Sequence, residues 1–282
     1  MIESIRKDGQ SVLLLDCGAV FDNIRDKAEL LLNAMELMGY DALNLGGPEF
    51  AFGKEFLEHT RSHASFPYIA SNLLYDSGRL PWTKEYIIKD MGGIKVAILG
   101  VLNPDDLKQV THQAYVKGLE VIRPETTLGR LLPEVKAKAD LVILLSRFGV
   151  EKTRALVNAV KGIDVAISSG SDGVFFVEPL EGTALLQTGS LGKAIGLLKI
   201  ALDEKGAPRV SESRYISMPR SVPDDERIAR LVEGFKNAQA TKEEKARGKT
   251  QKELMGRLQL TPEQFMERYR KEQTDMRNGE PR

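Results

Sequence analysis

A layered α/β domain followed by a helical tail is predicted by three features of the chain. Short apolar runs alternate with stripes at helical spacing up to about residue 168. A series of β-rich runs follows, up to about residue 217. From Asp224 onward the chain turns polar, charged and helical in pattern.

The elements follow in order. Residues 11–15 form an apolar run that ends at Asp16-Cys17-Gly18, which suits a buried strand and a turn. Ala28, Leu31, Leu32, Met35 and Met38 fall at helical spacing, and Gly39 can cap that helix. Residues 41–45 return as a strand before Gly46-Gly47-Pro48, a helix covers 54–61, and 68–70 form another strand. Residues 85–90 and 94–102 flank Gly92-Gly93, a hairpin signal because both turn positions need positive φ. A helix over 126–138, a fully buried strand over 141–146, a helix over 150–160 and a strand over 165–168 complete the alternation. Strands are expected at 174–177, 184–187, 194–202 and 209–217.

Ile228, Leu231, Val232 and Phe235 then make one apolar helical stripe, and 236–252 is polar. Thr261-Pro262-Glu263 starts a further helix with Phe265, Met266 and Tyr269 on one face. The expected organisation is an α/β domain over 1–219, a helical extension over 220–272 and a disordered tail over 273–282.

The chain carries 40 basic and 40 acidic residues and no basic block, so nucleic-acid binding is not expected. One cysteine excludes an internal disulfide framework and a cysteine-based zinc site. No apolar run has the length of a membrane span. The first residues include Glu3, Arg6, Lys7 and Asp8 without an apolar leader core, so a cytoplasmic protein is expected. A different start of translation would make it periplasmic.

Four loop stretches follow predicted strands: Leu15-Asp16-Cys17-Gly18-Ala19, Asn44-Leu45-Gly46-Gly47-Pro48-Glu49-Phe50, Leu145-Ser146-Arg147-Phe148-Gly149 and Ser168-Ser169-Gly170-Ser171-Asp172. With Met38-Gly39-Tyr40-Asp41-Ala42, Ser71-Asn72-Leu73, the run 93–100, the run 139–146 and Gln187-Thr188-Gly189-Ser190, they give the chain a clear resemblance. From about residue 11 to 217 it resembles the calcineurin-like metallophosphoesterase domain of bacterial 5'-nucleotidases and UDP-sugar hydrolases. The resemblance implies a layered α/β/β/α sandwich of the metallo-dependent phosphatase type. It extends to a degenerate branch of the family whose members include selenoproteins.

The family's chemistry uses two divalent metals held by Asp, Asn and His on strand-end loops. Set against that pattern, the ligands are missing. The family's first strand, with its Asp-x-His motif, has no counterpart in the sequence. The Asp expected after Gly18 is Ala19. The Gly-Asn-His-Glu corner reads Gly46-Gly47-Pro48-Glu49, without the bridging Asn and the catalytic His. The His expected after Ser146 is Arg147, and the Gly-His-x-His corner reads Ser169-Gly170-Ser171-Asp172. The nucleotide-binding domain that follows in 5'-nucleotidases is also absent from the sequence.

No cofactor is therefore expected. Glu49 and Asp172 are weak metal candidates, and Mn or Zn enters only if an altered metal set is retained. His59 and His63 stand four apart near a helix end with no third ligand, and His112 lies in a polar helix-like stretch. All three read as surface histidines.

The crevice candidates are Asp16, Cys17, Asn44, Glu49, Asn72, Ser146, Arg147, Ser171 and Asp172. Cys17 is either a redox thiol, if Arg147 lowers its pKa, or a small buried residue. Arg147 either binds a phosphate or carboxylate or pairs with Asp172 or Asp16. Trp82 is expected on a surface loop.

The expected function is a non-catalytic binding or assembly module, with an unknown protein partner or a small anionic ligand. The alternatives are an active nucleotidase-like phosphoester hydrolase with an altered metal site, and a thiol redox protein.

Overall fold

The computed structural model describes residues 1–7, 11–169, 176–180, 182–187, 189, 192–204, 206–258 and 261–278. The chain forms two compact units, Met1–Ile228 and Ala229–Arg282.

In chain order the first unit begins with α1 (Ile2–Lys7), β1 (Leu15–Asp16), α2 (Arg25–Met38) and β2 (Ala42–Asn44). After a 3-10 turn over Pro48–Phe52 come α3 (Lys54–His63), β3 (Tyr68–Ile69), β4 (Leu73–Tyr75) and β5 (Thr83–Lys84). Next are β6 (Tyr86–Asp90), β7 (Lys95–Val101), α4 (Pro104–Lys108), β8 (Leu119–Val121), α5 (Pro124–Lys136) and β9 (Leu141–Ser146). The unit continues with α6 (Val150–Ala159), β10 (Val165–Ser168), β11 (Phe176–Leu180), β12 (Thr183–Gln187), β13 (Ala194–Leu202) and β14 (Pro208–Ser217). The helix α7 (Glu226–Leu258) starts at its end, and α8 (Pro262–Asn278) follows.

Local chemistry accounts for several of these elements. In α2, Ala28, Leu32 and Met35 bury one stripe. Gly39 ends that helix in the left-handed region, φ 69°, with its N–H on the Glu36 carbonyl. The Arg6 guanidinium of α1 donates to the Met38 and Gly39 carbonyls at 2.7 and 2.6 Å, satisfying acceptors that the helix end leaves open. The α4 helix is capped by Asn103, whose side chain accepts the Asp105 N–H at 3.1 Å, and has Pro104 in its first turn. At the start of α8, Thr261 and Gln264 exchange side-chain to backbone hydrogen bonds at 2.9 and 3.3 Å, a capping box.

Two sheets carry the first unit. One is wholly parallel, in the order β1-β2-β3-β5. The other runs β11-β12-β10-β9-β7-β6, with parallel strands inside and antiparallel β11 and β6 at its edges. The ribbons β13-β14 and β4-β8 stand apart from both.

Three apolar clusters lie in series. One joins α2 and α3 to the parallel sheet through Leu32, Leu57, Leu43 and Tyr68. The second lies between the sheets, with Ile69, Ile98, Ile143 and Val165. The third packs α5 and α6 on the six-stranded sheet through Leu128, Leu156, Leu99 and Leu144. The architecture is the α/β/β/α sandwich that the resemblance implies.

Some details depart from the sequence reading for physical reasons. Trp82 lies in the turn before β5, half-buried, and packs on the first cluster, edge-on to Tyr68 at 6.3 Å. His112 starts a 3-10 turn and is not in a longer helix. Residues 236–252, inside the helical extension expected over 220–272, are part of one 33-residue helix, because Lys, Glu, Gln and Ala favour helix without apolar periodicity. The first compact unit runs past residue 219 to Ile228, and α8 runs through 273–278, inside the stretch expected as a tail. Part of the strand expected at 174–177 lies outside the described residues.

Candidate crevice at the strand ends

The residues that follow β1, β2, β7 and β9 meet at the carboxyl ends of parallel strands, with Ser169 after β10 beside them. Crevices of open α/β sheets form at such ends. Asn44, at the end of β2, has no solvent exposure. Its Nδ2 donates to the Cys17 carbonyl at 3.2 Å and the Val101 carbonyl at 3.4 Å, joining β1 to β7 of the other sheet. Among the described residues its Oδ1 has no hydrogen-bond partner, and it rests in the space left by Gly100, where a Cβ would clash with it. Asn72 is consumed in the same manner. Its Nδ2 donates to the Leu102 and Ile122 carbonyls at 3.0 and 2.9 Å, and its Oδ1 accepts the Leu102 N–H at 2.8 Å. Asn72 therefore acts as a structural cross-link.

Glu49 sits at the centre of two corners with no solvent exposure. Oε1 accepts the Val20 N–H at 2.6 Å and Oε2 accepts the Gly46 N–H at 2.7 Å, with the Ala19 N–H also bonded to the carboxylate. The first corner can present these amides because Gly18 and Ala19 are consecutive left-handed residues, φ 91° and 66°. That conformation aims successive N–H groups at one anion. Burial holds the Glu49 carboxyl above its ordinary range, against the opposing pull of the three amides and Arg147.

Arg147 follows β9. Its Nε donates to Asp106 Oδ2 at 3.2 Å and its Nη1 to Ser169 Oγ at 2.9 Å. Both charged side chains are 12% exposed. The expected partners were Asp172 or Asp16. Asp172, with Gly170 and Ser171, lies outside the described residues, and Asp16 is engaged by the Gly18 N–H at 2.7 Å. Burial raises the Asp16 carboxyl, countered by that N–H and by Arg147.

Asp106 went unread in the sequence. It stands in a five-residue helix with no periodicity to mark it. The available signal was its place just beyond the end of β7, where side chains enter the crevice.

The remaining candidates are internal. Ser146 Oγ meets Thr153 Oγ1 at 2.7 Å, and Thr153 meets Ser168 at 3.3 Å, all three buried. Cys17 is buried, with Sγ on the Ile167 carbonyl at 3.3 Å. Burial, then the Asp16 charge, push its thiol up to about 12, and Arg147 only partly offsets this. Of the two readings of Cys17, a redox thiol lowered by Arg147 or a small buried residue, these surroundings favour the second, because desolvation outweighs the guanidinium.

The described donors do not fit a pair of divalent metals. Position 47, where the family's bridging Asn would stand, is glycine, and a side chain there would collide with the Asp106 backbone. The Glu49 oxygens are committed to amides, and a guanidinium occupies the crevice. Among the described residues, no three His, Cys, Asp or Glu side chains are grouped to hold a metal ion. His59 and His63 lie on α3, their rings 4.7 Å apart.

No family model matches the chain. Over 222 residues it is 30% identical to the uncharacterized metallophosphoesterase YunD of Bacillus subtilis, covering 72% of this chain and 46% of that protein. The chain thus spans less than half the length of this curated relative. The 5'-nucleotidase precursor of Thermus thermophilus superposes with a TM-score of 0.73 at 21% identity, over 85% of this chain and 52% of the other. The calcineurin-like phosphoesterase YfkN of Bacillus subtilis gives 0.69 at 22% identity, over 84% and 87%. By fold and by sequence, the chain is homologous to the metallophosphoesterase domain of calcineurin-like phosphoesterases and 5'-nucleotidases.

Proposed function

We propose that this chain is a degenerate metallophosphoesterase domain that acts as a non-catalytic, or barely catalytic, binding or assembly module. One observation carries the reading. The corner that would present a metal-bridging side chain is Gly47, its space is taken by Asp106, and Asp106 is paired with Arg147. A guanidinium near strand-end loops suits a small anion of the phosphate or carboxylate class. Part of the Arg147 fork is already bonded to Asp106 and Ser169, so such a ligand would compete with or bridge these groups.

The second reading is a phosphoester hydrolase with an altered metal set. It is favoured by the enzymes to which the chain is homologous, and it would draw on Ser171 and Asp172. The thiol reading has no support in the surroundings of Cys17.

The test is elemental analysis after loading with Mn²⁺ or Zn²⁺, with a phosphatase assay on the same sample. The expected result is no stoichiometric metal and no metal-dependent turnover. Two ions per chain with metal-dependent turnover would overturn the reading in favour of the hydrolase.

A further inference from the structure

The last turns of α3 carry His59 and His63, four residues apart and so on one face of the helix. The helix runs from the corner after β2 back to the start of β3, which is parallel to β2. Its last turn therefore lies toward the amino ends of these strands, away from the crevice. The sequence offers the pair no further partner, but the fold supplies a setting.

The two imidazole centroids stand 4.7 Å apart. Two imidazoles bound to one ion through bonds of about 2.0–2.1 Å have centroids roughly 4.5–5 Å apart. His63 Nδ1 lies 2.9 Å from the His59 carbonyl. A carbonyl only accepts, so Nδ1 carries the hydrogen and Nε2 keeps its lone pair. Ser62 Oγ, 3.0 Å from the same nitrogen, donates to the same carbonyl at 2.6 Å. A backbone brace on one ring nitrogen is what orients a metal-ligating histidine through the other.

A cavity of about 190 Å³ opens beside the pair, lined also by Glu29, Asn33 and Glu36 of α2 and by Thr60. Glu36 is fixed there through Oε2, which accepts the Ser65 N–H at 2.8 Å, while Glu29 lies 3.6 Å from the Arg25 guanidinium. The carboxylates and the negative end of the α3 dipole favour a cation at this place.

We propose that His59 and His63 bind one divalent ion of the copper, nickel and zinc class, at a site separate from the crevice. Imidazole suits these ions, with Cu²⁺ held most tightly and Mn²⁺ the weakest of the series. Among the described residues no third His, Cys, Asp or Glu is grouped with the pair, so solvent completes the coordination and the ion exchanges. The proposal does not rest on the reading of the crevice.

The test titrates the full chain with Cu²⁺ alone and reads the bound ion by electron paramagnetic resonance. The expected result is saturation at one ion per chain, with hyperfine splitting from two imidazole nitrogens. His59→Ala and His63→Ala each weaken binding by more than about tenfold and remove one nitrogen from the spectrum. His112→Ala changes neither. Both histidines of the pair are exposed, so the variants keep the fold.

Unchanged affinity or an unchanged spectrum in the two variants overturns the proposal. Saturation only at millimolar copper overturns it too, in favour of an adventitious ion only. Either failure leaves the reading of the crevice untouched. Zinc held by the wild type but not by the double variant His59→Ala with His63→Ala belongs to α3 and supports the site. Metal kept by that double variant, with metal-dependent turnover, would end the non-catalytic reading and leave the α3 site standing.

Discussion

Asp106 of α4 and Arg147 after β9 form an ion pair at 3.2 Å, each side chain 12% exposed, against the backbone of Gly46 and Gly47. Removing one member leaves the other charged and largely desolvated. Asp106→Ala is expected to cost about 3 kcal/mol in urea unfolding. The double variant with Arg147→Met should recover much of that loss. Strictly additive losses would show that the two charges do not depend on each other.

Glu49 yields a prediction with a definite sign. Its carboxyl is raised above the ordinary 4.5 by burial. The native state therefore keeps a proton where the unfolded chain has released it, and stability falls as pH climbs from about 4.5 through that window. Glu49→Gln removes this dependence. The stability of wild type minus that of Glu49→Gln should decline with rising pH, by about 1.4 kcal/mol per unit of the window, and then level off. A difference that grows with pH would mean that three amide donors and Arg147 outweigh desolvation.

Gly47 is confined by the Asp106 backbone, which cannot swing aside as a flexible side chain can. Gly47→Ala is expected to lose about 1–3 kcal/mol, measured as a shift of the urea midpoint. Gly47→Asn with Pro48→His, which rebuilds the corner of active relatives, is expected to bind no Mn²⁺ unless α4 is also displaced. Stoichiometric metal in that double variant would count against the crowding argument.

Cys17, with its thiol at about 12, should react with a disulfide reagent at pH 8 only as fast as the protein opens. Rates that follow urea concentration and ignore reagent concentration are the expected outcome. Rapid saturating reaction in the folded state would restore the redox reading.

How much of this was legible in the sequence depends on range. The strands Leu141–Ser146 and Val165–Ser168 were read to the residue, because each is an uninterrupted apolar run closed by serine. The end of α2 was legible because Gly39 supplies the left-handed cap. The parallel sandwich followed from the resemblance and not from periodicity. The corners were located, but what fills them was not. Arg147 finds its partner 41 residues away on a helix of five residues, and nothing local announces that pairing. Glu49 stands in the sequence as a weak metal candidate, because only the fold brings the amides of the first corner and of Gly46 onto it.

Strand β7 is apolar on both faces: Val96 and Ile98 enter one core, while Ala97, Leu99 and Val101 enter another. Greasiness alone would let it slide by one residue without penalty. Gly100 forbids this, since only a residue without a side chain leaves room for the Asn44 amide. One glycine thus works as the index mark by which the two layers are set to each other. An insertion or deletion in β7 would be felt first as a misplaced notch and only afterwards as a loss of hydrophobic burial.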